Sequence, residues 1–161
     1  RYCKWPIIAI TGTNGKTTVT ELCTHILKKA GKKAISAGNI GYPFSSLILK
    51  NPDLDFFVLE LSSFQLSDIN AFTPYAAALL NIGSDHIDWH GSKENYSIAK
   101  FNIFKNMRDT SNIILNSNLF SKWKELFPNT EKRPLTFSVS IQKSDYYLKN
   151  KFNYFEEIII L

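Results

Sequence analysis

Cysteine is scarce in this chain. Cys3 and Cys23 are its only two, too few for a disulfide framework, and Cys23 falls on an apolar helical stripe where a reduced thiol packs as a small hydrophobe. No uninterrupted apolar run approaches the roughly 20 residues that cross a bilayer, so no membrane partner is expected. No signal-peptide pattern opens the sequence, and the expected compartment is the cytoplasm. Arginine is rare as well: 16 of the 19 basic residues are Lys. Those lysines are scattered, without an Arg stripe or an aromatic-basic motif, so the net charge of +5 does not point to nucleic acid. Cys/His spacings suited to structural zinc are missing. So are internal repeats and low-complexity segments.

What is present fits a domain-sized core: 161 residues, 44% of them apolar and 20% charged, are ordinary for a globular fold. The chain opens on Arg1 and closes on an apolar Ile-Ile-Ile-Leu run; it reads as a piece of a longer protein, with 1–161 forming one domain. The most informative stretch lies near its start. Ile7-Ile8-Ala9-Ile10 is a β-branched run feeding Thr11-Gly12-Thr13-Asn14-Gly15-Lys16-Thr17-Thr18. A strand, a Gly-containing loop and a Lys-Thr pair opening a helix make an anion cradle of backbone N–H groups, helix-terminal charge and one ammonium. Thr17 places a hydroxyl where a phosphate-bound Mg²⁺ would sit. The common phosphate-loop pattern, G-x-x-x-x-G-K-S/T, needs a Gly where this chain has Ile10. The loop is a shortened form.

Further along, Val19, Leu22, Cys23, Ile26, Leu27 and Ala30 predict an amphipathic helix ended by Gly31. Lys33 to Ala37 predicts a strand broken by Gly38-Asn39-Ile40-Gly41. Pro43 suits the first turn of a helix that Asn51-Pro52 ends. Asp55 to Leu61 reads as a strand buried on both faces, followed by a helix from Ser62-Ser63 to about Phe72. Tyr75 to Ile82 reads as another buried strand, running into a polar loop over 83–90. Ser92 caps a helix whose stripe is Tyr96, Ala99, Lys100, Ile103, Phe104 and Met107. Asn112 to Asn116 and Leu135 to Val139 are expected strands around a helix over 118–127, and antiparallel hairpin material follows Asp145. Repeated strand–helix alternation predicts an α/β fold: a mostly parallel sheet with helices on both faces and a small antiparallel hairpin region near the C-terminus. Ligands in such sheets bind beyond the carboxyl ends of the strands. The loop at 11–17, Asn39, Glu60 with Ser62, and the 83–90 loop should therefore converge on one edge.

Three residues there stand out chemically. Glu60 ends an apolar strand, where a carboxylate is costly to bury without a cation; it either reaches solvent or binds Mg²⁺. His86, Asp88 and His90 alternate; His86 is taken as functional and His90 as a solvated loop residue. Lys100 lies within an apolar stripe. Such a lysine usually snorkels outward, but burial would depress its pKa and leave a reactive neutral amine, able to add CO₂ as a metal-binding carbamate.

Gly12-Thr13-Asn14-Gly15-Lys16-Thr17-Thr18 resembles the ATP loop of the Mur ligase family, which uses this shortened form. Gly38-Asn39-Ile40-Gly41, Leu59-Glu60-Leu61-Ser62-Ser63-Phe64-Gln65-Leu66 and Asn81-Ile82-x-x-Asp85-His86-x-Asp88 follow in the family's order. The Gly-Asn-Ile-Gly and Ser-Ser-Phe-Gln signatures are similar to those of the D-glutamate-adding branch. The likeness covers nearly the whole chain, most specifically 7–107, and fits the family's central ATP-binding domain without its amino-terminal uridine-binding and carboxy-terminal domains. It implies an ATP-dependent ligase of peptidoglycan precursor synthesis, monomeric when full length, that joins D-glutamate to UDP-N-acetylmuramoyl-L-alanine through an acyl phosphate. It further implies that Gly12 to Thr18 hold ATP and that Lys16, Lys100 and His86 are catalytic. Thr17, Glu60, His86 and carbamylated Lys100 would bind Mg²⁺, and Asn39, Ser62 and Gln65 the nucleotide-sugar substrate. Other readings are another Mur ligase, such as the diaminopimelate- or lysine-adding enzyme, and a folylpolyglutamate synthase. A phosphate-loop kinase or regulatory NTPase and a non-catalytic nucleotide-binding module are also possible. The isolated fragment is expected to be inactive.

Overall fold

A computed structural model describes residues 3–107, 112–130, 133–138, 144–148 and 158–160. The chain forms two compact units, divided after Met107.

The first unit is an α/β layer structure. Its strands are β1 (Ile7–Thr11), β2 (Ala34–Gly38), β3 (Phe56–Glu60) and β4 (Ala76–Leu79). They lie in the order β2-β3-β1-β4, and every pairing is parallel. β1 therefore sits inside the sheet, flanked by the two strands that carry the later motifs. Ile10 stands level with Glu60 on one side and Ala78 on the other. This register brings the carboxyl ends of three neighbouring strands to one edge, beside the turn after β1, as a topological switch point requires.

Helix α1 (Lys16–Lys29) covers one face of this sheet, its Val19, Cys23 and Leu27 packing with Ile8 and Leu80 on Ile10, Val58 and Ala78. The buried stripe is rotated from the expected one. Thr20 and Thr24 are buried, whereas Leu22 and Ile26 are 55% and 58% exposed. The Thr24 hydroxyl donates to Thr20 O at 2.8 Å, so a threonine can face the core at little cost once the backbone accepts its proton. The helix ends as expected at Gly31, φ 76°, after Lys28 and Lys29, whose charges oppose the helix dipole.

Short helices join the remaining strands: α2 (Phe44–Leu49), with Pro43 as its N-cap, and α3 (Ser63–Ser67). The expected continuation of α3 to Phe72 does not occur. Asn102 donates to Leu66 O, and Asn106 donates to the carbonyls of both Asn70 and Phe72. Side chains thus satisfy acceptors that a longer helix would have used internally. The polar loop after β4 contains a one-turn helix, α4 (Ile87–His90). It leads into α5 (Lys93–Phe101), whose Ser92 cap accepts from the Asn95 N–H at 3.0 Å. None of the helices among the described residues is long and apolar enough to cross a membrane.

The second unit carries β5 (Ile113–Asn116), α6 (Phe120–Leu126), β6 (Leu135–Ser138), β7 (Tyr146–Leu148) and β8 (Ile158–Ile160). β5, β6 and β7 are parallel, and β7 pairs antiparallel with β8, as the hairpin expectation had it; Val139 and the turn at 149–157 lie outside the described residues. Asp145 fixes the β6–β7 pair. Its carboxylate accepts from the Thr136 N–H at 2.7 Å, the Thr136 hydroxyl at 2.8 Å and Arg133. Partial burial pushes its pKa up, but Arg133 and the Thr136 donors outweigh that and hold the carboxyl below its ordinary value. A depressed folded-state pKa stabilises above the unfolded value of about 4 and is lost as pH falls through the folded one. Asp145→Asn should therefore lower Tm at pH 7, and the difference from wild type should shrink on acidification below about pH 4, as read by thermal melts across a pH series.

Candidate active site

The turn after β1 is made by Gly12 to Gly15. Gly15 caps α1 at φ 80°, a left-handed conformation that glycine adopts freely. It leaves Lys16, Thr17 and Thr18 as the first helical residues, with N–H groups that have no intrahelical partner. Lys16 Nζ donates to Thr13 O at 2.9 Å, so its ammonium sits inside the loop it opens.

Glu60 lies at the end of β3 and is 2% exposed. Its Oε2 accepts from the Thr17 hydroxyl at 2.8 Å and its Oε1 from Asn39 Nδ2 at 3.0 Å. Of the two alternatives left open by the sequence, the one in which this carboxylate reaches solvent is not the one observed. Among the described residues no Lys or Arg pairs with it, and two neutral donors only partly compensate a buried anion. The Asn39 N–H also donates to Glu60 O at 2.9 Å. Gly38 approaches so closely that a Cβ there would stand 2.3 Å from Glu60 O. The tip of β2 is thus built onto Glu60.

Lys100 does not snorkel outward. It is 2% exposed, donates from Nζ to Gly12 O at 2.8 Å, and lies 4.8 Å above the Tyr96 ring. Burial, then the nearby Lys16 charge, lowers its pKa to about 8, with Asp85 and Glu60 opposing.

His86 caps α4 in the left-handed region, φ 50°. Its ring lies 3.4 Å from the Asp85 carboxylate and packs on Phe64, centroids 4.8 Å apart. Tyr96 borders both His86, at 6.5 Å between centroids, and Lys100. His90 is not the solvated residue the sequence suggested: it is buried, its Nε2 3.0 Å from Ser63 Oγ and its ring stacked on Phe64. A neutral imidazole with a hydroxyl partner packs in a core as an aromatic, which a reading of loop polarity overlooks.

Ser62 and Gln65 are each other's partners. The Ser62 hydroxyl accepts from the Gln65 N–H, and Gln65 Oε1 accepts from the Ser62 N–H at 2.9 Å, a reciprocal cap on α3. Gln65 also lines a cavity of about 320 Å³ with Gly38, Phe44, Leu59, Leu61 and Phe72.

The structure thus joins Lys16, Thr17, Asn39 and Glu60 directly around the loop, and sets Lys100 against Gly12. Ser62 and Gln65 adjoin at the next helix. His86 is placed beside Tyr96 rather than in contact with Glu60 through any hydrogen bond. Among the described residues, no group of three or more His, Cys, Asp or Glu side chains gathers as a metal cluster. The oxygen donors Thr17 and Glu60, 2.8 Å apart, fit a hard cation held chiefly by phosphate and water. Asn81 and Tyr96 were given no role from the sequence, although Asn81 opens a quoted motif and Tyr96 lies four residues before Lys100 on one stripe.

A parallel α/β sheet with a phosphate loop at its switch point defines a nucleotide-binding domain of the phosphate-loop class. More narrowly, residues 10–159 match the family model described as the Mur ligase middle domain, and the chain belongs to that family. The chain is 43% identical over 156 residues to a UDP-N-acetylmuramoylalanine–D-glutamate ligase of Lactococcus lactis subsp. cremoris (strain MG1363), covering 97% of this chain and 34% of the relative. A Streptococcus pyogenes ligase of the same name is 41% identical with the same coverage. The chain therefore spans about a third of the length of these curated relatives. Among solved structures, a UDP-N-acetylmuramoyl-L-alanyl-D-glutamate–2,6-diaminopimelate ligase superposes with TM-score 0.71 at 26% identity, over 91% of this chain and 34% of the other. The MurF ligase of Thermotoga maritima, in complex with ADP, gives TM-score 0.71 at 23% identity, over 91% and 35%, and shares the fold.

Gly38→Ala tests the local geometry. The added Cβ must displace the end of β3, so the variant should lose on the order of 1–3 kcal/mol in a denaturant titration and bind nucleotide more weakly.

Proposed function

We propose that this chain is the central ATP-binding domain of a longer, cytoplasmic, ATP-dependent ligase that joins D-glutamate to UDP-N-acetylmuramoyl-L-alanine in peptidoglycan precursor synthesis. Flanking domains would hold the uridine end and help to bind ATP and D-glutamate. The observation that carries this reading is the buried Glu60 carboxylate, bonded to Thr17 of the phosphate loop and to Asn39 at the next strand end. The similarity to the D-glutamate ligases over 97% of the chain supports the choice of substrates.

In this reading Lys16 leaves Thr13 O for the β- and γ-phosphates, and the N–H groups of Lys16, Thr17 and Thr18 at the start of α1 face them. Thr17 and Glu60 would hold one Mg²⁺, and His86 with Lys100 as its carbamate a second. Mg²⁺ supplies charge neutralisation between substrate carboxylate and triphosphate. Asn39, Ser62 and Gln65 would face the nucleotide-sugar. A carboxylate oxygen of the alanyl group attacks the γ-phosphorus and the Pγ–O bond to ADP breaks. The D-glutamate amine then attacks the carbonyl carbon of the acyl phosphate, inorganic phosphate leaves with its bridging oxygen, and the amine loses a proton. Phosphorylation supplies the leaving group that a bare carboxylate lacks, and the positive groups of the site favour the crowded transition state.

Lys16→Ala in the full-length protein should abolish ATP-dependent amide formation with D-glutamate, measured by phosphate release and product mass. Retained turnover, or preference for another amino acid, would overturn the assignment. Lys100→Ala should be largely inactive and partly restored by a short carboxylate such as acetate. Activity at wild-type level without it would leave Lys100 as a packing residue only.

A further inference from the structure

We propose that Asn81 and Tyr96 form a clamp that shapes the phosphate loop, which makes both of them positioning residues for the nucleotide phosphates. This rests on the nucleotide-binding reading of the loop.

Because Ile10 occupies the place of the first loop glycine, β1 runs on to Thr11, and only Gly12 to Gly15 remain to make the bend. So short a turn has little room for internal hydrogen bonds, and its polar groups find partners from elsewhere. The Thr13 N–H is shared between the backbone and side-chain oxygens of Asn81, both at 3.0 Å. The Asn14 N–H donates to the same Asn81 Oδ1 at 2.9 Å, and Asn81 Nδ2 donates to Asn14 O at 3.0 Å. One carboxamide thus reads both edges of Asn14 and one edge of Thr13. The second jaw closes on the Thr13 side chain. Its Oγ1 accepts from the Gly83 N–H at 2.8 Å and lies 2.9 Å from the Tyr96 hydroxyl, on a ring only 1% exposed.

The partition of donors follows. Asn81 takes the N–H groups of Thr13 and Asn14 from 68 and 67 residues away, so both point toward β4. The N–H groups at the start of α1 are left for an anion. Without the clamp, Thr13 and Asn14 could rotate their amides, and the loop would enter the complex only after paying for that freedom. Tyr96 also lies against the amine of Lys100, so the same ring references the loop to the buried lysine.

The test uses the full-length protein and compares Asn81→Ala with Tyr96→Phe. Asn81→Ala should raise the KM for ATP about tenfold or more and Tyr96→Phe about threefold, as expected for three lost side-chain hydrogen bonds against one. The KM values for the two other substrates should stay within about twofold. In the nucleotide-free protein, hydrogen exchange of the Asn14 amide should be slow in wild type and fast in Asn81→Ala, whereas the Thr13 amide keeps its bond to the backbone oxygen of residue 81. An unchanged ATP KM in both variants overturns the clamp, as does a parallel rise of all three KM values with a lower Tm, which marks a purely structural asparagine. If Asn81→Ala fails to fold, Tyr96→Phe decides alone. A wild-type protein that binds no ATP would instead overturn the nucleotide reading itself.

Discussion

One buried carboxylate holds the loop edge of the first unit together. Glu60 ends a strand whose other residues are apolar, and no Lys or Arg forms an ion pair with it among the described residues. Water is largely excluded there, so each oxygen must find a donor within the protein. One donor comes from the helix that follows β1 and one from the turn that follows β2. Satisfying one anion therefore draws three separate chain segments to a point. The close approach of Gly38 to Glu60 O tightens the same junction.

Across the loop from Glu60, the buried Lys100 amine performs a comparable service with opposite charge. It reaches Gly12 O from 88 residues away in sequence, tying α5 to the turn after β1. The proposed site is thus framed by a buried anion on one side and a buried amine on the other, with the ammonium of Lys16 held at Thr13 O. Burial of both is costly in isolation. Their proximity offsets part of that cost, as the opposing influence of Glu60 on the Lys100 pKa indicates.

Much of this was legible in the sequence because strand ends announce themselves. The switch from an apolar run to Thr11, Gly38, Glu60 and Asn81 located the edge where the site lies, and parallel topology followed from alternation. The misreadings share a cause: side chains that change character once their polar atoms are satisfied. Thr24 is buried on α1 while Leu22 and Ile26 are exposed, since a threonine bonded to its own helix presents a methyl group to its neighbours. His90 joins the Phe64 cluster for the same reason. The halt of α3 at Ser67 depends on Asn102 and Asn106, more than thirty residues later, and no local pattern encodes it. The one-turn helix at 87–90 is too short for periodicity to register.

That one-turn helix has a consequence for how position 86 can vary. Both residues that bracket it are left-handed, His86 at φ 50° and Gly91 at φ 76°. Among side chains, only Asn, Asp and His visit that region with any ease. Position 86 therefore carries a backbone constraint beside the role proposed for its ring. The substitutions open to it without distorting the loop are few: asparagine keeps the turn while removing the ring, and glycine keeps the turn alone. An alanine there would disturb chain direction and chemistry together.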